Sequence, residues 1–276
     1  MVLRMAGVRR KTEFSPNHVS NDLQIINLTG DALRRLGAEV TMYEEGDLTR
    51  NTITQDLVFS MAQGPRGIDA LAGVAERGGL IINSPQSVRN CYRVNMVTLL
   101  PGHGIPFPKS DIVSTASPAA VSEDGRRGKK AWIKRGDVHA VHKEDVTLAY
   151  TGDEQTTILE EFRARGIGQA IIQEHLEGDT VKFYAIRESK FFHWYHLNGG
   201  RHTPFSQDRL YELAQQSARV LDLYVFGGDA IIAPDGSITI IDINDWPSFA
   251  PVRDEASRHI GQLLYRKAEE YAGQRK

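Results

Sequence analysis

The chain has 276 residues, 41% of them hydrophobic, which is enough for a sizeable core and long for one domain, so two or three lobes are expected. Its 33 lysines and arginines against 35 acidic residues leave a net charge of −2, which gives no global reason to expect nucleic acid or a membrane surface. One cysteine, Cys91, excludes an intramolecular disulfide and fits a reducing compartment. No apolar run approaches the roughly 20 residues that span a bilayer. The basic start lacks the apolar centre of a signal peptide, so a soluble cytoplasmic protein is expected.

Residues 1–88 read as an alternating α/β lobe. Apolar residues at 23, 25, 26, 28, 33 and 36 predict a helix over 21–36, closed by Gly37. Short strands are predicted at 40–43, 56–62 and 80–82, with a helix over 68–77 between the last two. Strands separated by helices imply a mostly parallel sheet. Arg9, Arg10 and Lys11 end a first strand, where three adjacent cations either meet an anionic substrate or form a solvated charge run.

Asn83-Ser84-Pro85 is a turn that opens a helix over 86–100, carrying Arg89, Asn90 and Arg93. A strand at 111–114, a polar loop at 117–130 and a strand at 131–134 follow. The last ends in Lys134, an ammonium held rigidly enough to meet a phosphate, or else an exposed lysine that snorkels. His139, His142 and Lys143, within five residues on the next loop, suit phosphate contact or general acid–base work; zinc is disfavoured, with no cysteine nearby. A helix over 154–165 leads to strands at 170–173 and 181–186, the second with Lys182 and Tyr184 on one face. The aromatic strand 191–197 reads as core, with His193 and His196 on opposite sides. Ser206 caps a helix over 207–221, and a terminal helix covers 254–271.

The most informative stretch is 225–249. Two β-branched runs flank Pro234-Asp235-Gly236-Ser237 and read as a hairpin. Period two puts Asp242 and Asn244 on one face, with Ile241 and Ile243 on the other, and antiparallel pairing brings Asp229 alongside. Two carboxylates and an amide oxygen converging there repel unless a cation sits between them. Hard oxygen ligands suit magnesium, which usually arrives with nucleotide phosphates. The alternative is that Asp242 and Asn244 simply end a strand and cap the next turn.

The N-terminal α/β lobe, the strand ending in Lys134, the segment Gln173-Glu174-His175-Leu176-Glu177-Gly178 and the hairpin with Asp229, Asp242 and Asn244 resemble, in this order, the ATP-grasp superfamily. The resemblance covers roughly residues 80–250 and points to RimK-type ligases and inositol-tetrakisphosphate kinases. It implies an α/β (α+β) fold with an N-terminal lobe over 1–88, a lid subdomain over 89–176 and a metal-binding subdomain over 177–276, with ATP held between the last two. It further implies that Arg93 and Lys134 meet the phosphates. Gln173, Glu174 and the backbone of His175 and Leu176 would read adenine, with Ile133 clamping its face, and Glu177 or Asp179 would hold the ribose. Asp229, Asp242 and Asn244 would ligate two magnesium ions that neutralise phosphate charge.

The sequence also departs from the ligase pattern. Asp242 stands where ligases usually carry glutamate, and the segment 135–145 has a single glycine. His139 and Lys182 look like residues of the inositol phosphate kinases, although Ala140 breaks their usual His-Gly start. Three functions follow from the resemblance. The first is a carboxylate–amine (or thiol) ligase acting through an acylphosphate. The second is a kinase phosphorylating a polyol phosphate, with His139 or His142 near the acceptor and Lys182 on its phosphates. The third is a nucleotide-binding protein without turnover. The superfamily's usual chemistry favours the ligase. Expected partners are ATP and a small anionic metabolite, not nucleic acid or membrane; the oligomeric state is left open.

Overall fold

The computed structural model describes residues 2–15, 18–116, 129–138, 141–197 and 202–275. Its first sheet is wholly parallel, in the order β2-β1-β3-β4: β1 (Arg4–Arg9), β2 (Glu39–Glu44), β3 (Leu57–Ser60) and β4 (Leu80–Ile82). Two helices, α1 (Val19–Arg35) and α2 (Pro65–Glu76), make the crossovers. The buried face of α1 is Asp22, Ile25, Ile26, Thr29 and Leu33, so Leu23 and Leu36 of the expected stripe stand exposed. Asp22 is admitted to that face by a buried ion pair with Arg10, 2.8 Å long.

The helix expected over 86–100 is two helices, α3 (Pro85–Asn90) and α4 (Arg93–Gly102). Ser84 caps the first, its Oγ accepting from Ser87 N–H at 3.0 Å. Tyr92 is extended and breaks the run, while Asn95 Nδ2 donates to Arg89 O at 2.8 Å across the break. Arg93 therefore opens a helix instead of lying within one.

The second sheet, order β5-β8-β6-β7, is antiparallel: β5 (Ser110–Ser114), β6 (Ala131–Arg135), β7 (Val146–Ala149) and β8 (Gln169–Glu174), with α5 (Gly152–Ala164) on its outer face. The four-residue β7 was not expected from the sequence, because it follows directly on the charged run 143–145. The third sheet, order β10-β9-β11-β12, is also antiparallel: β9 (Asp179–Ile186), β10 (Phe192–His196), β11 (Val225–Ile232) and β12 (Ile238–Asp245). It is backed by α6 (Gln207–Leu221), capped by Ser206 as expected, and followed by α7 (Arg253–Gln274).

Each sheet lies within one of the expected lobes, but two helices pack across the expected boundaries. α4 joins the core of the third sheet through Met96 and Leu100. α7 packs on α1, so closely that a Cβ on Gly261 would stand 2.8 Å from that of Ala32. One apolar core thus runs from the first sheet into the third, whereas the second sheet has its own core with α5. Asn83, 1% exposed, ties the first sheet to the third. Its Nδ2 donates to Val225 O (2.7 Å) and Asp245 Oδ1 (2.5 Å), and its Oδ1 accepts from Tyr224 N–H (2.7 Å) and Val225 N–H (3.1 Å). That uses the full capacity of a buried amide, at about 1 kcal/mol net per bond. No helix among the described residues is long and apolar enough to cross a membrane.

Candidate active site

The inner face of the third sheet is organised in cross-strand rows. Register places Tyr195, Lys182, Asp229 and Asp242 side by side on β10, β9, β11 and β12. The next row on that face is His193, Tyr184, Gly227 and Asn244. The expected meeting of Asp229 with Asp242 is therefore a direct pairing. One detail differs from strict alternation: Asp229 pairs with Asp242 but Ala230 pairs with Ile240, leaving Ile241 as the extra residue of a β-bulge. Ile238, Ile240 and Ile243 pack against α6, whereas Ile241 and Asp242 both face the cleft. The bulge re-phases the strand, which is why Ile241 is not opposite Asp242 as period two predicts. Gly228 allows this close pairing, since a Cβ there would lie 2.5 Å from Asp242 O and 2.6 Å from the Phe183 ring.

Three cations converge on the two carboxylates. Lys182 Nζ donates to Asp229 Oδ1 at 3.0 Å and Oδ2 at 3.3 Å. Arg93, buried at the first turn of α4, reaches Asp242 Oδ2 at 3.5 Å. Lys134 leans across from the second sheet, its Nζ 3.5 Å from Ile241 O. Burial pulls Lys134 down to about 8, with Arg93 adding to the fall and Asp242 opposing it. Burial also lowers Lys182, but the adjoining Asp229 carboxylate outweighs it and the net direction is up. Asp229 is raised, by burial first and by Asp242 as a like charge, with Lys182 opposing.

Between the second and third sheets lies a cleft of about 630 Å³, lined by Lys134, Gln173, Glu174, His175, Leu176 and Glu177 among others. The segment after β8 thus faces Lys134 across one space. Glu174 is fixed to the start of β5, its Oε1 accepting from Lys109 N–H at 3.0 Å, and Gln173 Nε2 donates to Ser110 Oγ at 3.2 Å. Period two along β6 sends Trp132 and Lys134 into the cleft and Ile133 into the core beneath α5, where it is fully buried. Ile133 therefore does not line the cleft, whereas Trp132 does. Its Nε1–H donates to His175 Nδ1 (3.2 Å), His175 Nε2 meets Glu177 (2.9 Å), and Glu177 pairs with Lys130 (3.0 Å). Of the two ribose candidates, Glu177 lines the cleft, while buried Asp179 accepts from Thr203 N–H at 2.6 Å and does not line it.

A second cavity, of about 440 Å³, lies between the first and third sheets and shares Leu197, Asp229 and Asp242 with the first. Its lining includes Arg10, Lys182, Tyr184, Tyr195, Asn244 and Asp245. The cations expected to meet an anion are mostly committed within the protein. Arg9 pairs with Glu44 (2.6 Å), Lys11 with Glu13 (2.9 Å) and Arg89 with Asp69 (2.6 Å). Arg10 donates to Asp22 (2.8 Å), Met61 O (3.1 Å), Asp245 O (3.2 Å) and Trp246 O (3.0 Å). His142 is exposed and lines neither cavity; its N–H, with that of Val141, is held by buried Asp145. His139 lies outside the described residues.

Sequence reasoning missed Asp245, 2% exposed, bonded to Asn83 and pushed up to about 6 by burial. It also missed Trp132 and the Tyr184–Tyr195 pair, whose hydroxyls are 3.3 Å apart. Period two is the signal for Asp245, since it sets that residue on the face of Ile243, opposite Asp242 and Asn244. A third depression, of about 580 Å³, lies by β1 and the end of α7, where Asp56 and Arg275 already pair at 3.0 Å.

The donor set suits a hard divalent cation. Asn244 Oδ1 is buried without a hydrogen-bond partner, on the row next to Asp229 and Asp242. Among the described residues no cluster of three or more His, Cys, Asp or Glu is placed to hold a metal.

No family model matches the chain, and no curated protein matches it in sequence. Its fold, however, is similar to solved structures over nearly its whole length. A RimK domain ATP-grasp protein from Sphaerobacter thermophilus superposes with a TM-score of 0.71 at 16% identity, covering 95% of this chain and 99% of that one. The D-alanine-D-alanine ligase from Coxiella burnetii gives 0.73 at 15% identity, covering 99% and 97%. The D-alanine–D-alanine ligase from Bacillus anthracis complexed with ATP gives 0.68 at 13% identity, covering 98% and 99%. Three sheets in this arrangement, with a cleft between the second and third, give the chain the ATP-grasp fold.

Proposed function

We propose that the protein is an ATP-dependent ligase that joins a carboxylate to an amine or thiol through an acylphosphate. The observation that carries this reading is the row Lys182–Asp229–Asp242, which lies where the two cavities meet and has Lys134 and Arg93 above it. Glu174 to Glu177 would meet adenine and ribose in the larger cleft, with Trp132 against the base. Lys134 and Arg93 would hold phosphate oxygens, and Lys182 would orient the attacking carboxylate from the second cavity. Asp229, Asp242 and Asn244 would hold magnesium, which when bound supplies charge neutralisation between the phosphates. Binding there would displace the Lys182 ammonium from Asp229 and leave it free for the acceptor.

Phosphorylation of a polyol phosphate finds less support. Such a substrate needs several uncommitted cations, and among the described residues the second cavity presents Arg10, already bonded at four of its N–H groups, Lys182 and the His18 imidazole. Incubation with ATP, magnesium, hydroxylamine and a panel of carboxylic acids should give a hydroxamate together with ADP. Transfer of the γ-phosphate to a hydroxyl, with no hydroxamate from any acid, would overturn the ligase reading.

A further inference from the structure

The second cavity has a composition that discriminates among acceptors. Its lining carboxylates are Asp22, Asp229, Asp242 and Asp245, and Asp22 is consumed by Arg10. With magnesium on Asp229 and Asp242, one uncommitted ammonium remains among the described lining residues, that of Lys182. One cation matches one carboxylate. A polyanion would bring further negative charge against Asp245 and the edge of the metal site, where the described lining offers besides Lys182 only Arg10, already bonded to Asp22, and the His18 imidazole.

The rest of the wall is mixed: Ser15, His18, Gln63, Asn244 and Ser248 are polar, and the apolar and aromatic surface is gathered in one patch. The Tyr184 and Tyr195 rings lie 6.2 Å apart, and Phe14 and Pro247 face the same space. Tyr184 is locked behind by Phe249, with ring centroids 5.1 Å apart. Gly227 makes room for this wall, because a Cβ there would stand 2.9 Å from Pro247 and 3.1 Å from Tyr184. Leu197, at the junction of the two cavities, leaves 50% of its surface exposed. An exposed leucine beside aromatic rings is surface that an apolar ligand covers and a small polar one does not.

We infer that the carboxylate acceptor is a monoacid with an aromatic or bulky apolar body, its carboxylate at Lys182 and its body against Tyr184, Tyr195 and Leu197. The inference rests on the ligase reading of the same site and narrows it, replacing a generic anionic metabolite with a singly charged amphipathic one.

The test is ligand-observed NMR titration of the full chain, with magnesium and a non-hydrolysable ATP analogue, against propionate, 3-phenylpropionate and tricarballylate. The ring should tighten binding about tenfold over propionate, as burial of a phenyl group requires, and tricarballylate should bind most weakly. Tyr195→Ala should bring the two monoacids to similar affinity, and binding of the analogue in the same sample shows that the variant is folded. Tightest binding of tricarballylate, or no gain from the ring, would overturn the inference while leaving the ligase reading in place. Failure of the analogue itself to bind would instead overturn the parent reading, and the inference with it.

Discussion

Replacing Lys134 with methionine should stabilise the ligand-free protein while removing its nucleotide affinity. Lys134 is 6% exposed, and burial chiefly, with Arg93 assisting, takes its pKa from 10.5 to about 8. A lysine whose folded pKa lies below its unfolded value holds its proton less tightly when folded. The ammonium therefore destabilises the fold below about pH 8, and this penalty fades as pH rises from about 8 towards 10.5. A fall from 10.5 to about 8 is worth about 3 kcal/mol at pH 7. Methionine fills much the same volume without the charge, and about 3 kcal/mol in a chain of this size raises Tm by about 6–12 °C. Thermal unfolding of the ligand-free proteins at pH 7 and pH 10, with calorimetric titration of magnesium and ATP at pH 7, gives both readouts. The variant should melt higher at pH 7, with the gap narrowing at pH 10, and bind ATP about a hundredfold more weakly through loss of a charge-assisted contact. A variant that melts below the wild type at pH 7, or that keeps its affinity, refutes the reasoning.

Gly228→Ala should destabilise the hairpin by about 1–3 kcal/mol, because its Cβ would stand 2.5 Å from Asp242 O; urea unfolding measures the loss. Trp132→Phe keeps a ring in the cleft but deletes the donor to His175, and should weaken nucleotide binding by about 1 kcal/mol. The same variant should lose the change in tryptophan fluorescence on ATP binding, since Trp246 is fully buried and Trp194 packs on the α6 side of its sheet. Persistence of that change would remove Trp132 from the base site.

Much of this arrangement is legible in the sequence because it rests on local patterns. The hairpin turn, the strand ending in Lys134 and the cap at Ser206 are each encoded within a few residues, and the structure places them as expected. The two acids meet because antiparallel pairing around a short turn leaves few alternatives for register. What sequence reading lost depends on contacts between distant segments. Ile133 is apolar enough for a clamp, but apolarity alone does not tell which face of β6 it occupies. The break at Tyr92 is invisible to periodicity, since Val88, Tyr92 and Met96 keep a helical spacing across it. Asp179 and Glu177 are alike in sequence, and only the distant Thr203 N–H decides that Asp179 turns away. Arg10 resembled a substrate cation until Asp22, 12 residues on, and the carbonyls after β12 claimed it.

The claim on which the rest depends is that Asp229, Asp242 and Asn244 hold a divalent ion together with a triphosphate. The most direct measurement is the affinity for ATP by isothermal titration with and without magnesium, in the wild type and in Asp242→Asn. Linked binding predicts that magnesium tightens ATP binding at least about tenfold in the wild type and has little effect in the variant. Equal affinity in all four titrations, or a magnesium effect that survives the substitution, would contradict it.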